Sequence, residues 1–279
     1  MFTPEEIDRY KRHLVLRDVG GAGQQALKSA GVLLVGAGGL GSPIALYLAA
    51  AGLGRIGIID DDVVSLDNLQ RQIVHDTPRV GMAKVESAHE TVARLNPHVT
   101  VEPINARLTA ENALHVIRDY DIVVDGSDNF ATRYLVSDAC FFAERPLVFG
   151  AVGPFDGYVS TFKPYQKRKN ETRNPTYRCL FPEAPEGEAA LNCSEVGVLG
   201  SVVGVIGTLQ ATEVIKEMIG IGDSLVGRLL IYDALATRFD TFTYQWDKTN
   251  PLSGTGQRYR DLRHHHAAQN SPRGCTAPA

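Results

Sequence analysis

Cysteine is scarce in this chain of 279 residues. There are four, Cys140, Cys179, Cys193 and Cys275, at spacings that follow no disulfide framework. That excludes a small cross-linked secreted scaffold and points to a reducing, cytoplasmic setting. Long apolar runs are missing as well: the longest low-charge run, Val196 to Thr212, is too short and too glycine-rich to span a bilayer. The opening MFTPEEIDRYKRH carries charges where a secretory leader needs an apolar stretch. Charge of one sign is not concentrated either, since 28 Lys and Arg stand against 32 Asp and Glu for a formal net of -4. The densest basic stretch, Lys163 to Arg173, lies in polar sequence and reads as a solvated loop. Nucleic acid, which demands clustered cations, is a poor fit as the main partner, and no membrane association is expected. No internal repeat is visible. A G-x-x-x-x-G-K-[ST] loop is also missing, which disfavours ordinary P-loop chemistry.

What is present is a chain with 44% hydrophobic and 22% charged residues, enough for a sizeable core. Helical patterns at about 4–16 and up to Ala30 precede an alternation of short apolar runs and helices. The runs are Val32–Val35, Arg55–Asp60, Val99–Ile104, Ile122–Asp125 and Leu147–Gly150. The helices between them are Leu40–Ala51, Met82–Leu95, Ala110–Arg118 and Ala131–Ala143, with an irregular segment from Asp61 to Gly81. Strands separated by helices predict an α/β fold, a mostly parallel sheet with helices on both faces. After Gly150 the pattern changes. GYVSTFKP reads as a strand, Pro164–Glu195 as a long polar loop and the stretch to Met218 as a helix. GRLLIYDAL and RFDTFTYQW then follow almost without a linker, which predicts antiparallel additions to the same sheet. Residues 1–249 are expected to form one unit, and 250–279 a mobile tail with His264–His266 in solvent. Gly197, Gly200, Gly204 and Gly207 fall at helical spacing, a face for close packing within one subunit.

The stretch VLLVGAGGLGSPIALYLAAAGLGRIGIID places Gly36, Gly38 and Gly41 in G-x-G-x-x-G order between a strand and a helix. Without β-carbons in the turn, backbone amides at a helix N-terminus approach an anion closely. Asp60 closes the second strand, where a carboxylate accepts hydrogen bonds from ribose hydroxyls. By itself this says nucleotide, and leaves NAD and ATP open. The next segment, DDDVVSLDNLQRQ, adds Asn68, Gln70 and Arg71, and GMAKVE adds Lys84 at a helix start. So many phosphate-seeking side chains suit a triphosphate whose pyrophosphate must be stabilised as it leaves. In VVDGSDNFATRY, Asp128 is placed to hold Mg²⁺ beside a polyphosphate, while Asn129 also suits a helix cap.

Together, RYKRHLVL, GAGGLGSP, DDDVVSLDNLQRQ, GMAKVES, DGSDNFATRY, YRCLFPE and GVIGTLQATEVIK resemble the bacterial MoeB/ThiF/HesA adenylyltransferases, relatives of the ubiquitin-activating enzymes. The resemblance runs from about Tyr10 to Tyr244, and within the group it is strongest to the molybdopterin-synthase branch. It implies a Rossmann-like domain, with a nucleotide-binding half at about 30–150 and a carrier-binding half at about 151–249. The implied reaction is adenylation of the C-terminal glycine of a ubiquitin-like sulfur carrier ending in Gly-Gly, with ATP and Mg²⁺ and in molybdenum cofactor synthesis. The thiamin-synthesis carrier or another thiocarboxylate pathway would use the same chemistry. An NAD-dependent oxidoreductase and a nucleotide-binding scaffold are the readings from other classes. Carried over, Gly39 and Asp60 bind the adenosine part. Asn68, Arg71 and Lys84 hold the phosphates, Asp128 the magnesium, and Asp67, Leu69, Gln70 and Asn129 touch nucleotide. Arg12 would reach across from a second subunit, making the active unit a homodimer. Many members also hold a structural zinc with two Cys-x-x-Cys pairs. Here Thr176 stands in the first pair beside Cys179 and the second is absent, so no structural zinc is expected. Cys193 matches a cysteine position of the family and is read as packed and non-catalytic.

Overall fold

Val35, at the carboxyl end of the first strand, stands in register with Ile59 on one side and Asp125 on the other. That alignment fixes where the site lies. The computed structural model describes residues 1–166, 173–184 and 197–266. Its strands are β1 (Gly31–Val35), β2 (Arg55–Ile59), β3 (Thr100–Ile104), β4 (Ile122–Asp125), β5 (Leu147–Val152), β6 (Asp156–Phe162), β7 (Arg228–Asp233) and β8 (Arg238–Thr243). They form one sheet in the order β3-β2-β1-β4-β5-β6-β7-β8. The first five are parallel, and β6, β7 and β8 continue antiparallel. The chain winds outward from β1 in both directions, so a crevice opens beyond the carboxyl ends of β1 and β4.

The helices are α1 (Pro4–Leu14), α2 (Gly20–Ser29), α3 (Gly41–Ala50), α4 (Lys84–Leu95), α5 (Ala113–Arg118), α6 (Phe130–Ala143), α7 (Tyr177–Leu180) and α8 (Gly200–Ile219). Strand β1 is buried along its whole length, as a central parallel strand covered on both faces must be. Its Val32 and Leu34 join a core with residues of α2, α3, α4 and α8. Its Leu33 and Val35 join another core with α5 and α6 on the opposite face. Leu33, Leu34, Ile56 and Ile58 are fully buried, each worth about 2 kcal/mol of burial. Further out, Tyr232 of β7 stacks on its β8 partner Phe239 at 4.7 Å, a cross-strand pair that holds the last strand.

Two expectations need correction. Of the four spaced glycines, Gly197 precedes α8 with φ +87°, outside the helix. Close packing within the subunit holds for Gly200 and Gly207. A β-carbon on Gly200 would lie 2.4 Å from the carbonyl oxygen of Gln70, and one on Gly207 2.5 Å from Pro43, whereas Gly204 faces open space.

The second concerns the tail. Residues 250–266 pack on the body and do not stand free in solvent, with Leu252, Leu262 and His265 buried. The cause is Asp138 of α6, a fully buried carboxylate that must find partners. It takes a forked pair of hydrogen bonds from Arg178 (2.9 and 2.8 Å) and accepts from His264 Nε2 (2.8 Å) and His265 Nε2 (2.9 Å). Burial alone would raise its pKa, yet these donors hold it far below the usual carboxylate range. His264 also stacks on Tyr259 at 3.8 Å. The remainder of the expected tail, 267–279, lies outside the described residues.

Beside this knot, Asn250 Nδ2 donates to Thr176 Oγ1 (2.8 Å) and to Cys179 Sγ (3.0 Å), and the Asp247 amide donates to the same sulfur (3.4 Å). One sulfur, one hydroxyl and one amide do not make a zinc ligand set. Hydrogen bonds tie this loop pair together instead.

Candidate functional site

The loop after β1 turns through Gly36 at φ +94°, where a side chain would meet the backbone of Gly126 at 3.0 Å. A β-carbon on Gly41 would sit 2.1 Å from the carbonyl oxygen of Gly36. Both positions therefore require glycine, one for its conformation and one for the close approach of α3 to the turn. The intervening Ala37 is tethered twice. Its amide donates to Asp60 Oδ2 at 2.8 Å, and its carbonyl accepts from His75 Nε2 at 2.9 Å. Because that carbonyl only accepts, Nε2 carries the proton and His75 Nδ1 takes the Ser87 hydroxyl at 2.8 Å. His75 is buried, which pushes its pKa down; Lys84 and Arg79 add to that, and Asp60 opposes it. The imidazole is a neutral strut between the glycine loop and α4.

Asp60 has its pKa raised by burial, against the pull of Lys84 and of two backbone amides, Ala37 and Asp62. Each amide occupies one carboxylate oxygen at 2.8 Å, leaving the second lone pair of each for a ligand hydroxyl. Lys84, the first residue of α4, is buried and holds Asp62 at 2.9 Å. Arg71 lays its stem over Gly39 and donates to the carbonyl of Asp67 at 3.2 Å. Across the crevice, Asn129 caps α6 by accepting from the Thr132 amide at 2.9 Å, and Asp128 stands exposed just before it.

These groups line a cleft of about 340 Å³, roughly the lower end of the range for small-molecule sites. Of the residues singled out from sequence, Gly36, Gly38, Gly39, Asp60, Arg71, Lys84, Asp128 and Asn129 line it. Gly41 packs beneath the turn. Asp67, Asn68, Leu69 and Gln70 are not among the lining residues. Asp67 accepts from Ser65 Oγ and Asn68 Nδ2, and Asn68 belongs to a short 3-10 turn that carries Arg71 to the cleft. Arg12 is exposed on α1 and does not line the cleft of its own chain. Cys193 falls outside the described residues.

Sequence reasoning missed several lining groups. Ala106, Arg107 and Leu108 follow β3 and carry no local signature. Gln72 and Arg133 sat inside quoted motifs without being singled out. Arg133 lies four residues after the cap Asn129, the spacing that puts two side chains on one helix face, and that spacing was the available signal.

The ThiF family profile matches residues 10–252. The chain is 46% identical over 261 residues to the sulfur carrier protein adenylyltransferase of Thermus thermophilus, covering 94% of this chain and 96% of that protein. It is 47% identical over 251 residues to the SAMP-activating enzyme E1 of Haloferax volcanii, with 90% of each chain covered. The adenylyltransferase and sulfurtransferase MOCS3 of Drosophila yakuba is 48% identical over 237 residues, 85% of this chain but 51% of that longer protein. Among solved structures, E. coli MccB with MccA-N7isoASN matches with a TM-score of 0.76 at 20% identity, over 89% of this chain and 75% of that one. At that identity the likeness speaks to the fold.

Proposed function

The chain belongs to the ThiF family and is an adenylyltransferase acting on sulfur carriers, and we propose that the cleft at β1 and β4 is where it works. ATP is the donor, and the acceptor is the C-terminal glycine of a ubiquitin-like protein ending in Gly-Gly. We assign the pathway to molybdenum cofactor synthesis. The observation that carries the reading is the meeting of Arg71, Lys84 and Asp128 around one glycine loop. A redox dinucleotide has no use for that set, whereas a departing pyrophosphate does.

The chemistry follows from charge. A carboxylate oxygen attacks the α-phosphorus, the bond to the pyrophosphate oxygen breaks, and an acyl-phosphate anhydride remains. Two anions must be brought together, so positioning and neutralisation dominate the barrier. The glycine-loop amides and Asp60 hold the adenosine end. Lys84 moves its charge from Asp62 to phosphate, and Arg71 neutralises the leaving group. Asp128, an exposed carboxylate, offers the hard oxygen that magnesium prefers, and the ion would offset phosphate charge there.

Arg12 acts from the second subunit of a homodimer in this reading. The exposed apolar side chains Val63, Leu66, Ile73 and Val80, all on the segment between β2 and α4, support an interface beside the cleft. Among the described residues no helix is long and apolar enough to cross a membrane.

ATP–pyrophosphate exchange with purified carriers tests the proposal. Exchange that requires an intact Gly-Gly terminus supports it, and the carrier that works names the pathway. Exchange without any carrier, or NAD reduction in its place, sinks it. Mixing Arg12→Ala with Asp128→Ala subunits should restore activity that neither has alone, and no rescue removes the shared site.

A further inference from the structure

The parallel strands divide the cleft into two sides. Ile59, which ends β2, with Asp60, Ala106 and Leu108, which follow β2 and β3, wall one side. Asp128, Thr132, Arg133 and Val152, from the ends of β4 and β5 and the start of α6, wall the other. A nucleotide with its adenosine end on Asp60 and the glycine loop and its phosphates on Arg71 and Lys84 occupies the first side and the middle. The second substrate must therefore enter along the second side.

Arg133 is the unexplained group there. It is 6% exposed, and its guanidinium carries five donors. Its guanidinium makes one long hydrogen bond, from Nη2 to the Ser127 carbonyl at 3.4 Å, a cation–π contact to Phe130 at 5.1 Å, and a charge interaction with the buried carboxyl of Asp125. Its Nε has no hydrogen-bond partner among the described residues. The neighbouring carboxylate Asp125 spends Oδ1 on the Ser127 amide and hydroxyl, and its Oδ2 is likewise unpartnered. Asp125 offsets its charge in part, but a buried guanidinium with so few hydrogen bonds is costly unless something completes it, and the cleft it lines is where that something enters.

We propose that Arg133 is the binding residue for the carrier's last peptide unit, holding the terminal carboxylate before attack and the glycyl carbonyl afterwards. The planar fork suits both, since carboxylate and carbonyl oxygens each accept from it in plane. Val152, Val198 and Val203 line the same pocket and add apolar bulk. A terminus without side chains passes such a wall most readily, which gives Arg133 a part in selecting glycine. This rests on the adenylation reading above.

The test uses the full chain and two synthetic probes, 5′-sulfamoyladenosine and its glycylglycyl derivative, a non-hydrolysable stand-in for the acyl-adenylate. Calorimetry should show the peptide-bearing probe bound about tenfold or more tighter by the natural chain, the worth of a charge-assisted hydrogen bond. Arg133→Gln should erase that gain while sulfamoyladenosine keeps its affinity within about twofold, and Arg133→Lys should recover part of it. A merely structural arginine would weaken both probes alike. Equal weakening, a retained gain in Arg133→Gln, or no gain in the natural chain overturns the assignment. Failure of the natural chain to bind either probe would instead strike the adenylation reading.

Discussion

The two walls of the cleft are built on opposite plans. On the β2 side most polar groups are already engaged, Gln72 Oε1 being the buried exception. Asp60 is held by two amides, Ala37 by Asp60 and His75, and Lys84 by Asp62. On the β4 side Arg133 Nε, Asp125 Oδ2 and, behind them, Gln210 Oε1 are buried without partners among the described residues. A pre-formed wall needs little reorganisation to receive a ligand that comes and goes in one shape. An unsatisfied wall is finished only when a second molecule arrives. The difference teaches an order: nucleotide recognition is built into the fold, and acceptor recognition is left open to the incoming chain.

The largest effect should come from removing the charges that serve both walls. Arg71→Ala and Asp128→Ala should each lower carrier-dependent pyrophosphate exchange by about a hundredfold or more, the usual cost of losing a group that stabilises developing charge. Both positions are surface-accessible, so the thermal midpoint should barely move. Turnover within a few-fold of the natural chain would mean that the charge set is ornamental. Next in size is Asp138→Ala. It strips a buried carboxylate from Arg178, His264 and His265, which stand behind α6 and hence behind the second wall. Leaving that arginine uncompensated should cost about 3 kcal/mol in chemical denaturation. Affinity for sulfamoyladenosine should survive better than the gain from its glycylglycyl arm. Loss of both in a folded variant would show that the walls are not separable.

How much of this was legible depended on how far apart in sequence the partners lie. The sheet centre and the residues Asp60, Arg71, Lys84 and Asp128 belong to short segments whose glycine turns, strand ends and helix starts announce themselves locally. The packing of 250–266 did not, because His264 meets Asp138 across 126 positions and no periodicity links them. The Asn250 clasp on Thr176 and Cys179 was hidden for the same reason. Spacing alone does not show where a helix starts in the glycine series, since the backbone at Gly197 is still in the left-handed region before α8 begins. Ala106 to Leu108 enter the cleft only because β3 lies beside β2, and strand order is a property of the whole sheet.

The smallest effect is the one that would sharpen the contrast most, because it tests whether the first wall is truly pre-built. His75 donates from Nε2 to the glycine loop and accepts from Ser87 through Nδ1, so protonation removes the acceptor and puts a cation near Lys84 and Arg79. Its folded pKa is depressed by burial, so the unfolded chain binds this proton more readily. Stability from this group is therefore fully present above the ordinary histidine value of about 6.5 and is lost as pH falls through it toward the folded value. Urea unfolding at stepped pH should show a loss approaching about 1.4 kcal/mol per pH unit below about 6.5 from this one site. His75→Gln keeps an amide donor for the Ala37 carbonyl but has no proton to take up. It should flatten that slope by one proton while holding sulfamoyladenosine affinity nearer to the natural chain than His75→Phe does. An unchanged slope in His75→Gln would mean that the strut is not neutral in the native state, and the first wall would then be no more finished than the second.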